Sequence, residues 1–269
     1  SWKGQKMSFS VITPTGDRPV PFQLCTHFMQ RQTLKPDEWI VVDDGAVPTP
    51  MPSDIPFLKY IRRQSTSTKN VHTLPVQMIE ALSSVTTDIV IMMEDDDWYC
   101  ADYLEKMIKL FEQYKGVSLI GQGESVYYHI PLKKYMYVNN RDRASFCQTG
   151  FRSELIPALT EICKASRDPF IDLKLWRGTK DKFLLLGEKL MCVGMKGLEG
   201  RGNQWTIGRK GLHPRYKPDY GLELLGELIG EDVLLYEKFD RGIDVPPEGG
   251  SSIVGRHRRS KIGVRRGNR

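Results

Sequence analysis

Four consecutive acids, Glu94-Asp95-Asp96-Asp97, follow a continuous apolar run, Asp88–Met93 (DIVIMM), and a second acidic pair, Asp43-Asp44, closes the run Glu38–Val42 (EWIVV). Adjacent carboxylates repel one another unless a cation or a set of donors holds them. Hard oxygen ligands of this kind suit Mg2+ or Mn2+ bridging phosphate groups. The pair at 43–44 could instead accept hydrogen bonds from a base or from ribose hydroxyls, although with Gly45 it also reads as an ordinary turn. The 94–97 group also reads as an acidic helix start, which four like charges directly behind an apolar run fit less well.

These acids need a scaffold that brings them together. A short apolar run without alternation suits a strand buried on both faces. The pattern predicts strands at Ser8–Thr13, Glu38–Val42, Phe57–Ile61 and Asp88–Met93, with helices at Pro19–Thr33, Asn70–Ser84 and Asp102–Tyr114. In the last helix, Leu104, Met107, Ile108 and Phe111 form a helical stripe, and Asp102 with Glu105 resembles a capping box. Alternating strands and helices imply a mostly parallel sheet with right-handed crossovers. Ligands of such a sheet gather outside the carboxyl ends of its strands, so both acidic groups would face one crevice. Further on, strands are expected at Val117–Gly121, Ser125–His129, Lys134–Val138, Phe183–Leu186 and Leu190–Val193, with hairpin-type links among the first three. Helices are expected near Arg152–Cys163 and Asp168–Trp176, and residues 197–221, rich in glycine and basic groups, read as a mobile loop. The expected fold class is therefore α/β, with a mostly parallel central sheet, flanking helices and a smaller mixed sheet. One domain divides into halves at 8–116 and 117–245, followed by a basic arm at 246–269.

The chain of 269 residues is 40% hydrophobic and 27% charged, with a mean hydropathy of −0.40. That balance excludes disorder throughout and an integral membrane protein, and no apolar run approaches the ~18 residues of a spanning helix. Of the net charge of +6, residues 256–269 (RHRRSKIGVRRGNR) carry seven positive charges and no acid, which leaves −1 for the rest. A basic arm on a nearly neutral body attracts polyanions, or is simply a solvated tail. Five cysteines at 25, 100, 147, 163 and 192 show no CxxC spacing, so neither a disulfide framework nor a zinc motif is read. With no apolar leader in view, the expected location is a reducing cytoplasm, that of a host if the protein is viral.

The segments VITPTGDRP, EWIVVDDG, TKNVH and VIMMEDDDWYCADYL, in this order, resemble GT-A-fold glycosyltransferases of the family-2 type, over roughly residues 8–195. The resemblance implies transfer of a sugar from a nucleotide-diphosphate sugar, with a UDP-sugar the expected donor. It implies that Thr13, Pro14, Thr15, Asp17 and Arg18 line the loop that holds the base. Asp43 and Asp44 would contact base and ribose, Lys69 and Asn70 would lie near the diphosphate, and Asp95 would bind the donor. Asp96 and Asp97 would hold Mn2+ or Mg2+ in the DxD region, whose frame is either 94/96 or 95/97 because Glu94 stands where the family often has Asp. His213 could add a third metal ligand. The segment Asp168–Trp176 resembles the acidic stretch that carries the catalytic base of inverting members, which here would be Asp172. Arg201, Arg209 and Lys210 could cover the diphosphate, and Trp205 could close over sugar or acceptor.

The acceptor is read from charge and aromaticity. Arg256, Arg258, Arg259, Lys261, Arg265 and Arg266 in the arm suit nucleic-acid phosphates. Tyr127, Tyr128, Tyr135, Tyr137, Phe146 and Phe151 interleave with Lys133, Lys134, Arg141, Arg143 and Arg152, as in surfaces that stack bases, although aromatic strands are also ordinary core. The leading acceptor is a hydroxymethylated pyrimidine in DNA, as in phage DNA modification, with a flipped base if the DNA is duplex. A saccharide or protein acceptor, a nucleotidyltransferase, and a non-catalytic nucleic-acid-binding protein remain as alternatives.

Overall fold

The computed structural model describes residues 7–64, 72–201 and 213–239. The first half runs β1 (Phe9–Thr15), α1 (Pro19–Gln30), β2 (Glu38–Asp43), β3 (Leu58–Arg62), α2 (Leu74–Ser83), β4 (Ile89–Met92), β5 (Trp98–Tyr99) and α3 (Tyr103–Gln113). The second half runs β6 (Leu119–Gln122), β7 (Glu124–His129), β8 (Lys134–Asn139), β9 (Thr149–Arg152), α4 (Ile156–Ala165), α5 (Ile171–Gly178), β10 (Lys182–Leu185), β11 (Cys192–Lys196), β12 (Lys217–Pro218), α6 (Glu223–Ile229) and α7 (Val233–Glu237).

Seven strands form the main sheet in the order β10-β6-β9-β4-β1-β2-β3. β9 is antiparallel to both its neighbours, β4 and β6, and the other pairings are parallel. The continuous apolar runs explain why both faces are covered. Along β2, Trp39 and Val41 enter one core with Phe22, Phe28 and Leu104, while Ile40 and Val42 enter the opposite core with Met78, Leu82 and Trp176. β4 divides likewise, Ile89 and Ile91 to the first core and Val90 and Met92 to the second. That is the two-residue period of a strand with a hydrophobic layer on each side, and each such side chain fully buried is worth about 1.5–3 kcal/mol. Trp39 is fixed further by stacking on Phe22, with ring centroids 5.8 Å apart, and by donating its Nε1–H to Thr13 Oγ1 at 2.8 Å.

A second, mixed sheet has the order β12-β8-β7-β11-β5. The two sequence halves interleave: β6, β9 and β10 complete the main sheet, and β5 pairs with β11 in the smaller one. Among the described residues no helix is long and apolar enough to cross a membrane.

Several expectations need correction. β6 and β7 are not joined as a hairpin, since the chain leaves one sheet at Gly123 and enters the other; the hairpin is β7–β8. The helix expected from Arg152 begins at Ile156, because Thr149–Arg152 is β9. Asp102 makes no side-chain cap bond to α3. Its carboxylate pairs instead with Lys106 at 3.0 Å, and its backbone, at φ −108° and ψ 17°, lacks the extended conformation of an N-cap.

Candidate active site

The carboxyl ends of β1, β2 and β4 lie side by side, as the register Thr15↔Asp43 and Ile12↔Met92 requires. Thr13, Pro14 and Thr15 are all buried at the end of β1. Thr13 stitches strands together, its hydroxyl donating to the Met93 carbonyl at 2.7 Å. Thr15 donates its hydroxyl to Asp95 Oδ2 at 2.7 Å. Asp17, at φ 54°, turns the chain so that its Oδ1 accepts the Ala46 amide at 2.7 Å. Arg18 pairs with Asp95 at 2.7 Å and Asp96 at 3.4 Å. Burial alone would lower the Arg18 pKa, but Asp95 and Asp96 outweigh it and hold the guanidinium charged.

Asp43 and Asp44 are both buried yet differently used, because successive residues at a strand end point to opposite sides. Asp43 accepts the amides of Gly45 at 2.9 Å and Thr49 at 2.7 Å, and the Tyr60 hydroxyl at 2.8 Å. Burial works to raise its pKa, and these donors together with Arg62 win, holding it below the usual carboxylate range. Asp43 thus shapes the 44–49 loop. Replacing it with Asn puts an NH2 group against two or more donors, so Asp43→Asn should lower stability by about 1–3 kcal/mol, read as a shifted denaturant midpoint. Asp44 pairs through Oδ1 with Arg201, while its Oδ2 is buried with no hydrogen-bond partner among the described residues. Gly16 permits this close approach, since a Cβ there would collide with Asp44 Oδ1 and Arg201 Nη2 and lie 2.9 Å from the Gly45 nitrogen.

The loop after β4 gathers the remaining acids. Glu94, Asp96 and Asp97 each place a carboxylate oxygen within 4.8 Å of the others. Burial, then repulsion by Asp97 and Asp96, pushes Glu94 well up. Burial above all, with Asp96 adding repulsion, pushes Asp97 up to about 7 although Lys196 opposes it. Asp97 Oδ1 accepts the Met195 amide at 3.0 Å and lies 3.6 Å from Lys196 Nζ. Asp95 is also raised, burial outweighing Arg18. Among the described residues the ion pairs around these four acids bring in Arg18 and Lys196, so the acids outnumber the cations and, when ionised, carry surplus negative charge. An all-oxygen donor set with surplus negative charge fits a hard divalent cation.

Asp172 sits in the first turn of α5 and accepts the Leu173 amide at 2.7 Å. Burial raises its carboxyl above the ordinary range, against the Leu173 amide and the Arg143 charge. It lies near enough to the acidic loop to raise Glu94 electrostatically.

Other residues fall elsewhere. His213 is exposed, accepts the Arg215 amide through Nδ1 at 3.2 Å, and is absent from the carboxylate group. Lys69, Asn70, Trp205, Arg209, Lys210 and the arm residues Arg256, Arg258, Arg259, Lys261, Arg265 and Arg266 lie outside the described residues. Of the aromatic and basic residues, Tyr128, Phe146 and Phe151 are buried, and Arg152 donates inward to the carbonyls of Val117 at 2.8 Å and Phe111 at 3.0 Å. Those four serve the core, while Tyr137 is exposed. Lys196 was not legible as a site residue. It is buried beside Asp97, with its Nζ 5.3 Å from the Tyr127 ring centroid, and a lysine ending an apolar strand (MCVGMK) is the signal that could have found it.

A mostly parallel sheet with acids at adjacent strand ends and a smaller mixed sheet beside them defines a fold of the GT-A type. Residues 10–166, more than half the chain, match the family described as Glycosyl transferase family 2, and the chain belongs to that family. Among solved structures, the mannosyltransferase PcManGT from Pyrobaculum calidifontis, in complex with GDP-Man and Mn2+, is similar with a TM-score of 0.51 and 15% identity, over 76% of this chain and 61% of that one. S. aureus TarS 1–349 is similar with a TM-score of 0.49 and 14% identity, over 70% of this chain and 60% of that one. The TarS complex with UDP gives 0.46 and 16% over the same shares. At such identities the likeness is one of fold, and the chain spans about 60% of the length of these structures. No curated protein sequence matches the chain.

Proposed function

We propose that the protein transfers a sugar from a nucleoside-diphosphate sugar to an acceptor hydroxyl, with inversion at the anomeric carbon and with Mn2+ or Mg2+ held by Glu94, Asp96 and Asp97. The observation that carries this is the gathering of those three carboxylates within 4.8 Å at the strand ends of a family-2 glycosyltransferase domain. It favours the 94/96 frame of the DxD region. A cation held by these carboxylates would supply positive charge to offset that of the departing nucleoside diphosphate.

The chain's own residues divide the remaining work. Asp44, whose Oδ2 is buried and unpartnered among the described residues, accepts a hydrogen bond from the nucleoside. Asp43 fixes the loop behind it. Arg18 holds Asp95 and Asp96 in place. Asp172 takes the acceptor's proton as the acceptor oxygen bonds to the anomeric carbon and the bond to the diphosphate breaks, its electron pair leaving with the nucleotide. The raised pKa of Asp172 brings it nearer the range in which a base works at neutral pH.

The test is a panel of UDP- and GDP-sugars with Mn2+, monitored for release of the nucleoside diphosphate with and without acceptors. A UDP-sugar is the first donor to try, and hydroxymethylated DNA, a saccharide and a protein are the acceptors. Turnover of nucleoside triphosphates without turnover of any nucleotide sugar would favour a nucleotidyltransferase instead. The DNA acceptor and a cytoplasmic setting belong to this proposal. If residues 256–269 hold DNA, deleting them raises KM for DNA and flattens its dependence on log salt between about 50 and 200 mM. Acceptor-free donor hydrolysis should stay unchanged. Equal salt slopes for the two proteins would remove DNA from the proposal.

A further inference from the structure

Beneath the acidic loop lies a second group of ligand-bearing side chains. Asp97, Cys147 and Cys192 each place one ligand atom within 4.8 Å of the others, and all three are buried. Both cysteines are free thiols. They come from distant segments: Cys147 from a short 3-10 turn before β9, and Cys192 from the first position of β11. The surroundings hold them in place. The Cys147 carbonyl accepts the Tyr99 hydroxyl at 3.1 Å and the Tyr103 hydroxyl at 3.3 Å. Cys192 pairs with Tyr99 across β11 and β5, and Asp97 Oδ1 is held by the Met195 amide.

We propose that Asp97, Cys147 and Cys192 form a second cation site, selective for a thiophilic divalent ion such as Zn2+, and that its occupancy excludes a cation from the Glu94/Asp96/Asp97 group. Two thiolates and one carboxylate suit Zn2+, whereas Mn2+ and Mg2+ favour oxygen. Zn–S bonds of about 2.3 Å in a tetrahedron put neighbouring ligand atoms about 3.5–3.8 Å apart, so ligand atoms within 4.8 Å of one another need close by at most about 1.3 Å. One position of the tetrahedron is left for water. Binding takes one proton from each thiol and releases both to solvent, with no change of oxidation state. Asp97 belongs to both groups, so a zinc ion that draws its carboxylate toward the sulfurs leaves the oxygen site one ligand short. This exclusion rests on reading Glu94, Asp96 and Asp97 as the working metal site; the sulfur site does not.

The experiment uses full-length, metal-free protein and Co2+ as a spectroscopic probe. One equivalent should give a near-ultraviolet thiolate-to-cobalt charge-transfer band that Zn2+ abolishes. The band should be lost in Cys147→Ser and in Cys192→Ser and kept in Glu94→Gln. If the serine variants fail to fold, Zn-edge X-ray absorption of the 1:1 wild-type complex decides, with two sulfur neighbours at about 2.3 Å expected. A shell without sulfur, or a band that survives both substitutions, overturns the site. Unchanged Mn2+ affinity in the zinc-loaded protein overturns the exclusion. Failure of Mn2+ to bind even without Zn2+ would refute the oxygen-site reading, while the sulfur shell is still read on its own.

Discussion

Asp96→Asn and Asp97→Asn each lower Mn2+-supported sugar transfer by about 10²–10³-fold, the scale of losing one fixed electrostatic contact to the developing charge, while the fold survives. The loss follows from charge. Glu94, Asp96 and Asp97 are close enough to bind one ion, and Asn offers a neutral oxygen where the ion needs an anionic one. The survival of the fold also follows from charge. Burial and the neighbouring acids already disfavour the ionised form of Asp97, so an uncharged isostere relieves repulsion, and it can still accept the Met195 amide. The expected pattern is an unaltered circular-dichroism spectrum, loss of the Mn2+-induced rise in Tm that selective binding to the native state gives, and near-zero turnover. Wild-type turnover that persists in excess EDTA would refute the metal requirement.

Asp172→Asn should lower kcat by about 10²–10⁴-fold, the usual contribution of a general base, with donor affinity little changed. An alcohol is a poor nucleophile until its proton leaves, and Asp172, in the first turn of α5, is near enough to the 94–97 loop to act electrostatically on Glu94. The pH profile separates base from scaffold. Burial raises the Asp172 carboxyl, and only the deprotonated form can accept a proton. Wild-type kcat should therefore fall on the acid side, with a midpoint above that of an ordinary carboxylate. At saturating Mn2+, which holds Glu94, Asp96 and Asp97 deprotonated, Asp172→Asn should abolish that limb. Equal losses in donor binding and kcat, with the limb retained, would make Asp172 a positioning residue.

The parts of this molecule that could be read from sequence are those where one local pattern decides the outcome. β1, β2 and β4 are short apolar runs that both faces of a sheet must cover, and the acids at their ends follow from chain direction. β9 has no local signature, because Thr149–Arg152 is a strand only by virtue of β4 and β6 on either side. Its Gly150 leaves room for Met107 and Phe111, which a Cβ would approach to 2.9 and 3.1 Å. The same holds within the site. Nothing in the pair Asp43-Asp44 tells which acid serves the 44–49 loop and which pairs with Arg201; Tyr60 and Thr49 on one side and Arg201 on the other decide it. The link from Arg18 to Asp95, and the meeting of Asp97 with Lys196, Cys147 and Cys192, depend on residues brought together from far apart in the chain. Spacing rules are blind to such contacts.

Calorimetric titration of the protein with UDP and with GDP, in Mn2+ and again in EDTA, tests the central claim most directly. Saturable 1:1 binding of one nucleoside diphosphate is expected that needs Mn2+, is lost in Asp96→Asn, and is weakened in Asp44→Asn. Binding of equal strength in EDTA, or undiminished binding by Asp96→Asn, would contradict it.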